Sequence, residues 1–147
     1  MIDANRLSRP YTTSNNSESS VGIAKSYKFS DIAELINALP SSTQALIDVR
    51  ERNELYRYGT IPGSLNIPLS SFPEVFTMTA DEFRKLIGFT RPKNEVELIF
   101  FCQAGKRSSQ AANEALKAGW PRVGNYSGSW LDWSARGGKV LGVNPPN

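Results

Sequence analysis

The residues best suited to chemistry are Cys102, Gln103, Ala104, Gly105, Lys106 and Arg107, a run that follows the most apolar stretch of the chain, Glu97 to Phe101. That stretch has the signature of a buried strand, and the residues from about Arg107 to Ala118 have the spacing of a helix. Cys102 is therefore expected at the carboxyl end of a strand, on the loop into a helix, where open α/β sheets bind their ligands. Small residues in the middle of the loop let backbone N–H groups curl inward as an anion-binding nest. The helix start adds partial positive charge, and Lys106 and Arg107 add full charges beside it. All three features favour thiolate over thiol, and the thiolate is the nucleophile. The chemistry implied is attack by a cysteine on an anionic substrate.

The competing reading is that Cys102 is a small buried hydrophobe finishing an apolar strand, the commoner fate of a free cysteine. The Gly-containing basic loop and the helix behind it favour the reactive reading. Spacing then separates chemistries. Cysteine phosphatases use a Cys-x5-Arg loop that fits around a tetrahedral phosphate, whereas Cys102 to Arg107 is Cys-x4-Arg, one residue shorter. A phosphatase or arsenate reductase is thereby disfavoured but stays open.

The remaining composition narrows the field. The chain of 147 residues has one cysteine and no histidine, which excludes intrachain disulfides, CxxC pairs, zinc fingers and histidine-dependent triads. One unpaired cysteine suits a reducing compartment. A net charge of +3, well mixed along the chain, is too mild to imply nucleic acid. The longest apolar run, Leu98 to Cys102, is far short of the roughly 20 residues that cross a bilayer. The length fits one domain able to fold without a structural metal, and neither a metal site nor a cofactor is expected.

Three regions follow. Residues 1–25 read as a disordered leader, since Thr12 to Ser20 is wholly polar with Glu18 its one charge. Arg6, Arg9, serine and threonine fit a mitochondrial presequence by composition, and an N-terminus without address fits as well. Residues 26–138 form the ordered domain and residues 139–147 a tail. Within the domain, Tyr27 to Phe29 reads as a short strand. Asp31 with Glu34 caps a helix bearing Ile32, Leu35, Ile36 and Leu39, which Pro40 stops. Ala45 to Val49 is a buried parallel strand and Glu51 to Tyr58 a helix. Leu65 and Ile67 mark a short strand, and Thr79 with Glu82 opens a helix with Phe83, Leu86 and Ile87 on one face. The helix after Cys102 presents Ala111, Ala112, Ala115 and Leu116, small enough for close approach to a sheet. Val123 to Tyr126 and Trp130 to Ala135 supply a last strand and helix. Alternating strands and helices predict an open, mainly parallel sheet covered on both faces.

With these elements in place, the chain from about Tyr27 to Gly138 resembles the rhodanese family. Asp48-Val49-Arg50-Glu51 is similar to the family's Asp-Val-Arg-Glu strand end, and Ile61 to Pro68 to its Ile-x-Gly-Ala-x-Asn-Ile-Pro segment. Cys102 to Arg107 resembles the Cys-x-x-Gly-Lys-Arg loop of single-domain thiosulfate sulfurtransferases. Ser127 to Trp133 resembles the Gly-Gly-x-x-x-Trp region, and with the segment Phe72 to Lys93 the whole looks most like the short fungal members. The resemblance implies a three-layer α/β fold and a sulfurtransferase in which Cys102 takes sulfane sulfur from thiosulfate and passes it to a thiol or to cyanide; with no second cysteine in the chain the thiol is expected to be external, glutathione or thioredoxin. It implies that the loop residues Gln103 to Arg107 bind the donor and that Asp48 and Arg50 mainly brace the fold. A mitochondrial location is implied for some members, with the cytoplasm otherwise. Thr60 stands where many members have histidine and Ser129 where a second glycine is frequent, and neither is expected to touch the sulfur chemistry. A catalytically idle binding module on the same fold is the remaining alternative. Trp120, Trp130 and Trp133 are read as core, and the cluster Arg84, Lys85, Arg91 and Lys93 as a solvated face.

Overall fold

Ile99, Phe100 and Phe101 are completely buried because the strand that carries them is the middle one of five. The computed structural model describes residues 22–146, so most of the stretch read as a leader, with its presequence-like residues, lies outside the described residues. Five strands, β1 (Lys25–Ser26), β2 (Gln44–Asp48), β3 (Leu65–Asn66), β4 (Glu97–Phe101) and β5 (Val123–Asn125), form one sheet in the order β1-β5-β4-β2-β3. All four pairings are parallel. β2 and β4 run in full register from Gln44 opposite Glu97 to Asp48 opposite Phe101. That pairing brings the ends of the Asp-Val-Arg-Glu segment and the Cys102 loop side by side.

Alternation along β4 sorts the core into two halves. Leu98, Phe100 and Cys102 pack with Phe83 and Ile87 of α3 (Ala80–Ile87) and with Ala111, Ala112 and Ala115 of α4 (Lys106–Lys117). Ile99 and Phe101 pack on the other face with Ile32 and Leu35 of α1 (Phe29–Leu35) and with Trp130 and Trp133 of α5 (Ser129–Ala135). A strand buried on both sides must be apolar throughout, which is why ELIFF shows no alternation. The three-layer architecture is thus the expected one, with α2 (Arg52–Tyr58) following β2.

Three local readings are corrected. The first strand is Lys25–Ser26 rather than Tyr27 to Phe29. Asp31 is the reason: its carboxylate reaches back to accept the Lys28 N–H at 2.8 Å, so it is the third residue of the helix and not its cap. Helix α1 therefore starts at Phe29, whose ring lies 4.9 Å from that of Trp133. Leu86, at the edge of the face it shares with Phe83 and Ile87, is not covered by the core and is 56% exposed. The Thr79–Glu82 capping box is present as read, with reciprocal bonds of 3.0 and 2.8 Å. In the stretch read as a tail, Leu141 forms an antiparallel bridge with Thr60, and Lys139 accepts the Trp133 indole N–H at 2.7 Å. Among the described residues no helix is long and apolar enough to cross a membrane.

Candidate active site

β4 ends at Phe101 and α4 begins at Lys106, so Cys102 to Gly105 make the whole connection. Gly105 has φ +98°, and a Cβ there would lie 2.3 Å from the Ser127 carbonyl oxygen. Both the left-handed backbone and the close approach require glycine. The turn aims two amides at the sulfur: Gly105 N–H donates to Cys102 Sγ at 3.1 Å and Ser108 N–H at 3.3 Å. Ser108 also secures the turn by donating its hydroxyl to the Gly105 carbonyl at 3.1 Å. Replacing Gly105 by alanine is expected to cost about 2 kcal/mol in a urea titration and to dislodge these amides. An unchanged unfolding midpoint would show that the turn adapts.

Cys102 is 1% exposed, so both readings of it describe part of its setting: it closes an apolar strand, and its sulfur is held by polar donors. Burial pushes the thiol pKa up. Hydrogen bonds from Ser108, from the Gly105 amide and from the Ser129 hydroxyl outweigh that, and the pKa lies below its ordinary value. A helix start leaves its first amides without intrahelical acceptors. Ser108 spends one on the sulfur, and those of Lys106 and Arg107 lie beside it at the start of α4. The arrangement can hold a sulfur anion and a second anionic group next to it.

The expected loop residues meet different fates. Ala104 and Lys106 are exposed, and Gln103 is half-buried with its carbonyl accepting the Leu131 N–H at 3.0 Å. Arg107, whose direction the sequence leaves open, turns to a carboxylate. Its guanidinium makes a bidentate pair with Glu54 of α2, at 2.6 and 2.8 Å. Glu54 was not singled out from sequence, since nothing in a helix-capping residue announces a partner 53 positions away. Arg107 holds the Glu54 carboxyl below the usual glutamate range. A carboxylate lowered in the folded state adds stability above its unfolded pKa and loses that contribution as pH falls through the folded one. The wild-type advantage over Glu54→Gln, at most ~1 kcal/mol for a pair this exposed, should therefore hold near neutrality and shrink below about pH 4.5. Urea midpoints measured across pH check this, and an advantage that persists in acid would contradict it.

Asp48 and Arg50, both fully buried, lie beneath the neighbouring strand end. Asp48 Oδ2 accepts from Arg50 Nη2 at 2.8 Å and from the Thr60 hydroxyl at 2.7 Å, and Oδ1 accepts the Arg50 N–H at 3.1 Å and Nε–H at 3.0 Å. Arg50 Nη2 also donates to the Gly59 carbonyl at 2.8 Å, and the guanidinium sits 4.6 Å over the Trp130 ring. Thr60 thus belongs to this network, its hydroxyl shared between Asp48 and Ser64. Ser129 does not fit the expectation: its Oγ accepts the Cys102 N–H at 3.0 Å and lies 3.8 Å from Sγ. A serine 27 residues downstream in a glycine-containing turn carries no sequence signal for that contact.

Known proteins resemble this chain in sequence and in fold. The family described as Rhodanese-like domain matches residues 31–136. The thiosulfate:glutathione sulfurtransferase of Saccharomyces cerevisiae is 38% identical over 117 residues, which cover 80% of this chain and 83% of that one. The human thiosulfate:glutathione sulfurtransferase is 42% identical over 103 residues, 69% of this chain and 89% of its own. The yeast protein named thiosulfate sulfurtransferase RDL2, mitochondrial, is 36% identical over 114 residues, 78% of this chain and 75% of its own. Its crystal structure, described as a single-domain sulfurtransferase, superposes with a TM-score of 0.72, covering 79% of this chain and 93% of that one at 34% identity.

Proposed function

The chain belongs to the rhodanese-like domain family, and on that premise we propose that it is a sulfurtransferase in which Cys102 carries the sulfur from thiosulfate to a thiol. The observation that carries this reading is the convergence of the Gly105 and Ser108 amides on Sγ, which favours the thiolate and leaves it facing the start of α4. The Cys102 thiolate attacks the outer sulfur of thiosulfate. The S–S bond of the donor breaks, its electron pair leaves with sulfite, and Cys102 becomes a persulfide with its charge on the outer sulfur. Amides at the helix start stabilise that anion and the departing sulfite. A thiol such as glutathione or thioredoxin, or cyanide, then takes the outer sulfur and returns Cys102 as thiolate. With one cysteine in the chain, release of the persulfide depends on an external acceptor.

The loop residues Gln103 to Gly105 shape this anion site, Lys106 adds positive charge, and Asp48 and Arg50 support it from below. Binding of Arg107 by Glu54 counts against a phosphatase, whose arginine must close around the phosphate. The mitochondrial name of the RDL2 relative and the presequence-like composition of the first residues support a mitochondrial location. Purified protein given thiosulfate and glutathione is expected to release sulfite catalytically and to leave aryl phosphates intact. Hydrolysis of an aryl phosphate without sulfite release would overturn the reading.

A further inference from the structure

Ser129 is the one non-glycine residue with a left-handed backbone among the described residues, at φ +58°. A side chain is strained in that region, and such strain persists where the surroundings impose it, often at functional sites. The preceding residue is a glycine with an ordinary φ of −61°, so the chain places the difficult conformation on the serine. Gly128 has its own reason to be glycine, since a Cβ there would come within 2.7 Å of Asp132.

The strained backbone sets the serine hydroxyl, fully buried, between three groups. It accepts the Cys102 N–H at 3.0 Å, donates to the Tyr126 carbonyl at 2.8 Å and stands 3.8 Å from Cys102 Sγ. The next two amides of α5 take the carbonyls of the same loop, Trp130 N–H to Cys102 O at 2.9 Å and Leu131 N–H to Gln103 O at 3.0 Å. The start of α5 therefore grips the Cys102 peptide groups on both sides. The hydroxyl has a single hydrogen and two acceptors, the Tyr126 carbonyl and the sulfur. A neutral thiol leaves that hydrogen on the carbonyl. A negative sulfur attracts it through a charge-assisted bond, reached by rotation of the hydroxyl alone. The geometry points to Ser129 as a positioning residue that fixes Cys102 against α5 and supplies a third hydrogen bond when the sulfur is anionic. This deepens the proposed reaction and rests on it for its catalytic consequence.

The test uses Ser129→Ala and Ser129→Gly in the full chain. Alanine keeps the backbone demand and removes the hydroxyl, whereas glycine removes the hydroxyl and relieves the strain, and a urea titration of both variants confirms that the proteins compared are folded. Ultraviolet absorbance of the thiolate, with Cys102→Ser as baseline, reads the titration of the lone cysteine without needing a reagent to reach it. The charged groups around the loop, Lys106 and Arg107 on α4, Glu51 and Glu54 beside and on α2, Asp48 at the end of β2 with Arg50 after it, and Asp132 on α5, are the same in all these proteins. Both variants are expected to titrate about one pH unit higher than the parent, with kcat/KM for sulfite release about tenfold lower below both midpoints and converging at high pH. A merely structural role would lower activity equally at every pH and leave the midpoint in place, and that result would overturn the inference. Sulfur transfer by the parent with unmoved midpoints in the variants would sink the Ser129 role alone. Shifted midpoints in a protein that transfers no sulfur would sink the sulfurtransferase reading alone.

Discussion

Cys102→Ser is expected to fold like the parent and to lose sulfur transfer by at least ~10⁴-fold. The hydroxyl that replaces the thiol can accept the Gly105 and Ser108 amides in place of the sulfur, so the loop keeps its donors satisfied. The substitution is near-isosteric, and the change in unfolding free energy should stay within ~1 kcal/mol. Chemistry suffers far more. A serine hydroxyl is protonated at every relevant pH, and without a base beside it it is a poor nucleophile. The chain has no histidine to supply that base and no second cysteine to take over. Sulfite release measured beside a urea titration separates the two effects. A folded variant that retains transfer would remove Cys102 from the mechanism.

Asp48→Asn is expected to act in the opposite way, on stability first. Asp48 and Arg50 form an ion pair of 2.8 Å with both side chains completely buried. Neutralising the carboxylate leaves the Arg50 guanidinium as an uncompensated buried charge, which costs about 3–5 kcal/mol. Against a total stability of about 5–15 kcal/mol that is a large share. The damage spreads to the site because Arg50 also holds the Gly59 carbonyl and lies over Trp130, the residue whose amide grips Cys102 O. Replacing both partners, with Asp48→Asn and Arg50→Met together, removes the stranded charge and is expected to recover part of the loss. Urea midpoints of the single and double variants measure this. A single variant within 1 kcal/mol of the parent would show that the pair does not brace the fold.

Local rules made much of the architecture legible in the amino-acid sequence. The unbroken apolar run at Leu98 to Cys102 marks a strand covered on both faces, and the Thr79–Glu82 spacing marks the α3 start because two helix-start donors need partners within three residues. The same logic misplaced the start of α1, since a carboxylate at Asp31 serves equally as a cap or as a residue reaching back to one. Within the site, Cys102 and its glycine were legible because they share one short loop. Ser129 and Glu54 were not, because their contacts with Cys102 and Arg107 span 27 and 53 residues. Periodicity reports which face of an element is covered and is silent on which polar side chains the fold then brings together. The direction of Arg107 is not legible for the same reason: a basic residue read alone shows no carboxylate waiting on another helix.

The most direct test of the account is the intact mass of the purified protein after thiosulfate and again after glutathione. A gain of one sulfur, about 32 Da, that is absent in Cys102→Ser and removed by glutathione is the predicted result of a nucleophilic cysteine passing on a covalently held sulfur. An unchanged mass in the presence of thiosulfate, or a gain that survives in Cys102→Ser, would contradict it.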